Sequence, residues 1–187
     1  MNYRINENAA IKGYITNLGK YNEGYLIGKW ISFPVNDDEL ETIFKEIGIS
    51  SEPDLNGNVY EEYFMTDYEI DIPGLEFGEY TSIETLNSSA ETWESLTEYE
   101  KEIAAAIVEA GYENSIEDAA ETVNDYTLMT DVKSDYDLGY YWVEESGAYD
   151  LRNLGNLAYY IDYERFGRDI HIETDGCFTS YGWLERC

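Results

Sequence analysis

The side chains that most often carry covalent or metal chemistry, histidine and cysteine, are scarce in this chain. His171 is the only histidine, and it stands between Ile170 and Ile172 in a pattern typical of a strand. A lone histidine among apolar residues has no adjacent nucleophile and too few companions to hold zinc. We therefore expect structural roles for His171, for Cys177 in the core and for Cys187 in the tail.

One polar segment offers the beginning of a calcium site. Asp54, Asn56 and Asn58 have the spacing of the first three ligands of an EF-hand loop. Val59 then stands where that loop needs glycine, and Met65 where it needs a bidentate glutamate. We interpret the segment as a polar turn. Phosphate-binding loops and dinucleotide-binding glycine patterns are also missing from the sequence, so we expect no cofactor, no metal and no catalysis.

Carboxylates are the one reactive group present in excess. The chain has 40 acidic and 11 basic residues, a formal charge of −29. Asn36–Asp125 holds 26 of these acids with only two bases, Lys45 and Lys101, whereas the 35 residues before it are net basic. Adaptation to high salt would spread acids over the whole surface, so their concentration favours a binding function. Such a charge repels nucleic acid and anionic membranes and attracts basic proteins, especially those that bind DNA.

The size of this charge matches that of a stretch of DNA. B-DNA carries one charge per about 1.7 Å of its axis, so 29 charges correspond to roughly 50 Å of duplex. A compact chain of 187 residues has a diameter of roughly 40 Å. One subunit thus carries about the charge of the duplex that would lie along it.

The composition is typical of a folded protein of a reducing compartment. An aromatic content of 16% argues against the disorder that is common in acidic chains. Two cysteines are too few for a disulfide framework. We also expect no signal peptide and no membrane span, because the first residues are polar and no apolar run approaches 18 residues. These features favour a cytoplasmic location.

The pattern of residues predicts an α+β fold of three small modules, the first of which covers residues 1–78. Ile11–Leu18 and Gly24–Phe33 are predicted as strands joined by a turn, and Tyr60–Ile72 as a third strand. A helix is predicted over Asn36–Ile47, because Asn36 and the glutamate three residues later have the spacing of an N-terminal cap. Strict alternation in the third strand would place six side chains on one face: Glu61, Tyr63, Met65, Asp67, Glu69 and Asp71.

The second module, residues 79–125, is predicted to be helical. Its three helices are capped by Ser82, Thr97 and Ser115. In the second helix Tyr99 is expected to face inward, together with Ile103 and Ile107. The outer faces carry glutamates at i, i+4, which weaken a helix by a few tenths of a kcal/mol per pair. A sequence that repeatedly accepts this cost is using its charge.

The third module, residues 126–187, mixes helices and strands. Its helix Asp135–Ser146 has a centre, Leu138–Val143, that is apolar on every side. Such a helix is buried all round, and in a small module part of that surface is expected to be a subunit contact. The other predicted elements are a strand over Tyr126–Val132, a helix over Asn153–Asp162, and strands over Ile170–Glu173 and Cys177–Leu184.

Several stretches, in the same order along the chain, resemble the ArdA antirestriction family. They are Tyr14–Gly24, Gly28–Pro34, Glu62–Glu69, Glu79–Ile83, Tyr160–Glu164 and Gly167–Asp169. As a set they are specific and extend from about Ile11 to the C-terminus. Leu138–Gly147 is similar to the family's antirestriction motif, which lies near the dimer contact.

The resemblance implies a function that agrees with the charge. Members of the family are carried by mobile DNA elements and act in the bacterial cytoplasm, where they bind type I restriction–modification enzymes. They are elongated, three-part α+β proteins that form homodimers and mimic bent B-form DNA in the groove of the methyltransferase core. By this resemblance the chain is a DNA mimic without catalytic activity.

We assign the expected roles to two sets of residues. The dimer interface is predicted at Leu138, Tyr141, Trp142 and Val143. The carboxylates predicted to stand in for phosphates, hereafter the predicted array, are Asp37, Asp38, Glu41, Glu46, Glu61, Asp67, Glu69, Asp71, Glu98, Glu102, Glu109, Glu117, Asp118, Glu121, Asp125, Asp131, Asp135, Asp137 and Glu144. Two alternatives are an acidic protein that binds another basic partner, such as a nucleoid protein or a transcription regulator, and a carbohydrate-active enzyme or module that uses the aromatic residues for stacking.

Overall fold

The computed structural model describes residues 3–72 and 74–187 and groups them into two compact units. One unit ends at Ser95 and the other begins at Leu96. Each contains helices and one three-stranded sheet, so the predicted α+β class is confirmed. The helices that the sequence grouped in residues 79–125 are shared between the units. The division into three modules stays a prediction.

The first unit is built on an antiparallel sheet with the strand order β2-β1-β3. Its elements are β1 (Ile11–Asn17), α1 (Leu18–Asn22), β2 (Gly28–Phe33), α2 (Asp37–Glu46), β3 (Tyr63–Ile70) and α3 (Ile83–Ser95). One face of the sheet is fully buried, with Ile11 and Ile15 of β1 beside Ile31 and Phe33 of β2. This apolar face forms the core of the unit.

Helix α2 has the predicted boundaries and the predicted cap. The Asn36 side chain accepts a hydrogen bond from the Glu39 amide at 2.9 Å, and the Glu39 carboxylate accepts one from the Asn36 amide. Gly48 follows the helix with φ +72°, a left-handed conformation that glycine adopts without steric cost. The buried Ile43 and Ile47 hold the helix to the unit.

The connection between β1 and β2 differs from the predicted turn. A short helix, α1, follows β1 directly, and β2 begins at Gly28 rather than at Gly24. The reason lies in Asn17, which is fully buried. Its side-chain oxygen caps α1 by accepting from the Lys20 amide at 2.9 Å, while its nitrogen donates to the carbonyls of Ile47 and Gly48 at 3.1 Å.

A β-bulge in β3 makes the predicted alternation wrong. Tyr14 pairs with Asp67 and the next residue, Ile15, pairs with Met65. Thr66 is therefore the extra residue in β3 and lies opposite no residue in the register of β1. The extra residue shifts the phase of the strand. Met65 therefore shares the buried face with Ile15, whereas Asp67 shares the opposite face with Tyr14.

The second unit contains an antiparallel sheet with the strand order β4-β6-β5. Its elements are α4 (Glu98–Glu109), α5 (Ile116–Thr122), β4 (Tyr126–Met129), α6 (Asp135–Tyr140) with a π-helical continuation (Tyr141–Glu145), α7 (Tyr163–Glu173), β5 (Gly176–Thr179) and β6 (Gly182–Arg186), with 3₁₀ turns at Val123–Asp125, Leu151–Asn153 and Gly155–Tyr160. Ile103 and Ile107 of α4 are buried as predicted. The inward orientation predicted for Tyr99 is wrong, because 56% of its surface is exposed. Three consecutive alanines of the same helix, Ala104–Ala106, are fully buried.

Three predictions near the C-terminus are wrong. The segment predicted as one strand over Cys177–Leu184 forms parts of two antiparallel strands, β5 and β6, which are separated by a turn at Ser180 and Tyr181. The segment predicted as a helix over Asn153–Asp162 forms only 3₁₀ turns, and the strand predicted over Ile170–Glu173 is part of helix α7. The strand was predicted from the alternation of Ile170, His171 and Ile172 alone, a pattern too short to distinguish a strand from a helix. Phe166, Gly167 and Ile170 face inward at helical spacing, and the Asp162 side chain caps α7 by accepting from the Arg165 amide at 3.1 Å.

Helices α6 and α7 cross at a contact that requires glycine on both sides. Gly139 and Gly167 are buried, and their backbones lie against the partner helix. A Cβ atom on Gly167 would overlap the carbonyl oxygen of Asp135, and one on Gly139 would overlap the carbonyl oxygen of Tyr163. The helices can approach this closely only because neither glycine has a side chain.

Because the helices cross so closely, we expect one added methyl group at the crossing to destabilise the protein strongly. Gly167→Ala should lower the free energy of unfolding by about 3 kcal/mol, the upper end for overpacking, because backbone rather than a flexible side chain must move. Urea unfolding followed by circular dichroism would measure the change. Gly78→Ala is the matched control, since the nearest atom to its Cβ is 3.9 Å away. Equal stability of the two variants would contradict the close crossing.

Candidate partner-binding surface

The carboxylates of the predicted array lie at the surface. None of the nineteen is buried, and sixteen are exposed. The three half-buried members are Glu117, Asp135 and Asp137. Their side chains can therefore meet a partner while the apolar cores of the two units stay closed.

Helix N-termini hold several of these acids in a favourable field. Asp37 and Asp38 lie in the first turn of α2, and Asp118 lies in the first turn of α5. Backbone N–H groups and the helix dipole stabilise negative charge there, typically by 0.3–1 kcal/mol each. The fold thus offsets part of the repulsion among its acids.

Four members of the array are paired with lysines of the chain. The distance from the lysine Nζ to the carboxylate oxygen is 2.8 Å for Lys12 and Glu69, 2.6 Å for Lys45 and Glu41, and 2.8 Å for Lys101 and Glu98. Glu46 forms an ion pair with Lys29. The hydrogen bond from Lys45 lowers the pKa of Glu41, and the hydrogen bond to Glu69 raises the pKa of Lys12. These pairs lower the local charge that a basic partner would meet.

Other members are fixed in place by hydrogen bonds that leave their charge intact. Glu109 accepts from the Ser180 amide at 2.8 Å and from its hydroxyl at 2.6 Å. The Tyr163 hydroxyl donates to Glu144, and this hydrogen bond raises the pKa of Tyr163 to about 12. Donors of this kind hold a carboxylate in one orientation without neutralising it.

Asp137 and Asp135 belong to the start of helix α6. The Asp137 carboxylate accepts from the Ser134 hydroxyl at 2.7 Å. Asp135 contacts Nδ1 of His171 at 3.1 Å and the Arg168 guanidinium at 3.6 Å. Both acids therefore help to hold α6, and Asp135 has nearby partners within the chain.

The remaining acids of the array offer the most available charge. Among the described residues, nine array members have neither an ion pair nor a hydrogen bond between their carboxylate and another side chain: Asp37, Asp38, Glu61, Asp67, Asp71, Glu102, Glu121, Asp125 and Asp131. Helix α3 adds exposed acids that the sequence-based set did not include: Glu84, Glu91 and Glu94. Their spacing on one helix face could have identified them.

The four predicted dimer residues differ in accessibility. Leu138 is fully buried and Val143 is 6% exposed, since both are covered by residues of their own chain. Tyr141 and Trp142 are half-buried and pack against the cluster formed by Leu138 and Trp183. The side chains of Tyr141 and Trp142 therefore keep the surface that a second subunit could contact.

The single histidine and the two cysteines are the remaining side chains that could take part in covalent or metal chemistry. The His171 ring packs edge-on against Phe178 and Trp183, with ring centroids 5.1 and 5.0 Å away. Cys177 and Cys187 are free thiols, and burial raises the pKa of Cys177. In residues 3–72 and 74–187 there is no group of three or more His, Cys, Asp or Glu side chains that could hold a metal ion.

Over the same residues, none of the helices has the length and hydropathy needed to cross a bilayer.

The net charge predicts how salt affects stability. Raising the NaCl concentration from about 10 mM to about 300 mM shortens the Debye length several-fold and screens the repulsion among exposed acids. We expect the melting temperature to rise by about 4 °C or more, equivalent to about 1–2 kcal/mol. Scanning calorimetry at the two concentrations would measure this.

A variant with fewer charges provides the matched comparison. The triple change Glu84→Gln, Glu91→Gln and Glu94→Gln should raise the melting temperature at low salt and flatten its salt dependence. A melting temperature that falls with salt in the unmodified protein would mean that its ion pairs outweigh the repulsion.

A family model described as antirestriction protein (ArdA) matches residues 13–185. No curated protein matches the chain.

Proposed function

Because this chain belongs to the ArdA antirestriction protein family, which inhibits restriction rather than catalysing a reaction, we propose that it inhibits type I restriction–modification enzymes by mimicking DNA. In this proposal the exposed carboxylates occupy the groove that otherwise binds duplex DNA. The observation that carries the proposal is that all nineteen array members lie outside the cores, sixteen of them exposed.

The physical basis is competition for the same basic side chains. A DNA-binding groove is lined with Lys and Arg that neutralise phosphates and release counterions. Carboxylates fixed at helix N-termini and by hydrogen bonds meet these side chains with little loss of conformational entropy. Bases are not needed, so the inhibitor competes with DNA of any sequence. Electrostatic steering makes its association fast and sensitive to salt.

A competition assay tests this mechanism. A purified type I methyltransferase core is mixed with labelled duplex, and the protein is titrated in at two salt concentrations. We expect near-stoichiometric displacement of DNA that weakens as salt is raised. Absence of displacement by the folded protein would exclude groove occupation and leave another basic partner as the target.

Two triple variants test whether displacement of DNA depends on the positions of the array carboxylates or only on the net charge of the protein. Glu102→Gln, Glu121→Gln and Asp125→Asn remove three array members that have no ion pair. Asp169→Asn, Glu173→Gln and Asp175→Asn remove three exposed acids outside the array. Both sets change the charge equally, but only the first should weaken displacement, by roughly tenfold, or about 1.4 kcal/mol. Equal losses would show that net charge alone is responsible.

We further propose that the protein acts as a homodimer through the surface around Tyr141 and Trp142. Exposed aromatic and aliphatic residues in the nearby sequence support a covered face, with Leu157, Tyr159 and Tyr160 exposed by 67%, 87% and 83%. An interface would remove such large apolar and aromatic side chains from water. A dimer would double the length of DNA that is mimicked.

Sedimentation velocity tests the dimer. Tyr141→Glu places a charge on the proposed contact and should yield a monomer with an unchanged circular dichroism spectrum. Tyr99→Glu, at an exposed tyrosine of α4, should remain dimeric. If the Tyr141 variant also remains dimeric, the interface lies elsewhere.

A further inference from the structure

A groove on the open face of the first sheet combines aromatic rings with two carboxylates. It has a volume of about 470 Å³ and is lined by Tyr14 and Trp30 of the sheet, Tyr21 of α1, Phe64 of β3, and the acids Asp67 and Glu79. Tyr14 and Trp30 meet edge to face with centroids 5.6 Å apart, and Tyr21 and Phe64 do so at 5.1 Å. Of these four rings Tyr21 is exposed, Tyr14 and Trp30 are half-buried, and Phe64 is buried.

The bulge in β3 creates this combination of residues. Phe64 pairs with Thr16 and Asp67 pairs with Tyr14, so both side chains lie on the same face of the sheet. In a regular strand, residues three apart would point to opposite faces. Bulges often re-aim a side chain toward a binding site. Here the bulge brings an aromatic ring and a carboxylate into one groove.

The segment after β3 supplies the second acid. The Met65 amide donates to the carbonyl of Glu79 at 2.8 Å, and the Tyr68 hydroxyl donates to the carbonyl of Gly78 at 2.9 Å. Tyr80 then stacks on Phe64 with centroids 6.2 Å apart. These contacts fix the backbone at Glu79 along the edge of the sheet and hold its carboxylate at the groove.

The charges nearby select the class of ligand. Asp67 and Glu79 are exposed and add to a strongly negative protein, so the phosphates of a nucleic acid are repelled. Lys12, which emerges from the same face, is occupied by its ion pair with Glu69. A neutral sugar would stack on the rings and donate hydroxyl hydrogen bonds to the two acids, but it has no charge to gain from the strongly negative surroundings. A cation gains from both.

We propose that this groove binds an arginine side chain presented by a protein partner. A guanidinium stacks on aromatic faces and forms paired hydrogen bonds with carboxylates, two features that the groove offers together. The inference rests on the proposed function for the identity of the partner, a restriction–modification enzyme. It adds one local, partly apolar contact to an otherwise distributed electrostatic attraction.

The test uses two short peptides and the unmodified protein. Acetyl-Gly-Arg-Gly-amide and the same peptide with citrulline, a neutral isostere of arginine, are titrated while the Trp30 indole N–H resonance is followed by NMR. We expect the arginine peptide to shift this resonance and to bind at least roughly tenfold more tightly than the citrulline peptide. Equal binding of both peptides, or a shift produced by a neutral oligosaccharide but not by arginine, would overturn the proposal.

Two double variants test whether Asp67 and Glu79 cause the preference for the arginine peptide over the citrulline peptide. Asp67→Asn with Glu79→Gln keeps the shape of the groove and should abolish the difference between the peptides. Glu84→Gln with Glu91→Gln removes the same charge from exposed positions on α3 and should preserve that difference. Equal losses in the two variants would reduce the effect to net charge and overturn the assignment. Because no restriction enzyme is present, this test can fail while DNA displacement succeeds, and the reverse.

Discussion

Mutual repulsion among carboxylates is the constraint that every part of this structure has to accommodate. With 40 acids and 11 bases, the chain can fold only if its cores are closed without burying carboxylates. The two cores consist almost wholly of apolar side chains, while the acids stand outside them. Capped helix starts, such as Asn36 and Thr97, place negative charge where the backbone already favours it. The surface can then be strongly acidic at a tolerable cost in stability.

Restraint of the acids matters as much as their number. The lysines that pair with Glu41, Glu46, Glu69 and Glu98 and the hydroxyls that hold Glu109 and Glu144 turn flexible chains into fixed positions. Salt bridges of this kind contribute little to stability at a surface. They divide the acids into a neutralised set, which shapes the surface, and an available set, which carries the charge that the proposed DNA mimicry needs. A partner would therefore meet a pattern with gaps rather than a uniform negative coat.

The sequence predicted most reliably the features that depend on neighbouring residues. The caps at Asn36, Thr97 and Ser115, and the exposure of most acids, follow from local spacing and were confirmed. Features that depend on distant residues were predicted less well. The bulge at Thr66 is defined only by the pairing of β3 with β1. The position of helix α7 depends on the packing of Gly167 against Gly139 of α6, which is distant in sequence. For the same reason the aromatic groove was not predicted, because alternation without the bulge separates Phe64 from Asp67.

The bulge also determines which kinds of genetic change the first unit can absorb. Substitution of Thr66 would leave the neighbouring side chains on their present faces, because its backbone supplies the extra step. Loss or gain of a single codon between Phe64 and Asp67 would instead exchange inside for outside along the rest of the strand. The composition of this face is thus encoded by the length of the segment as much as by the residues in it. Relatives could vary widely in side chains here while keeping the number of residues constant.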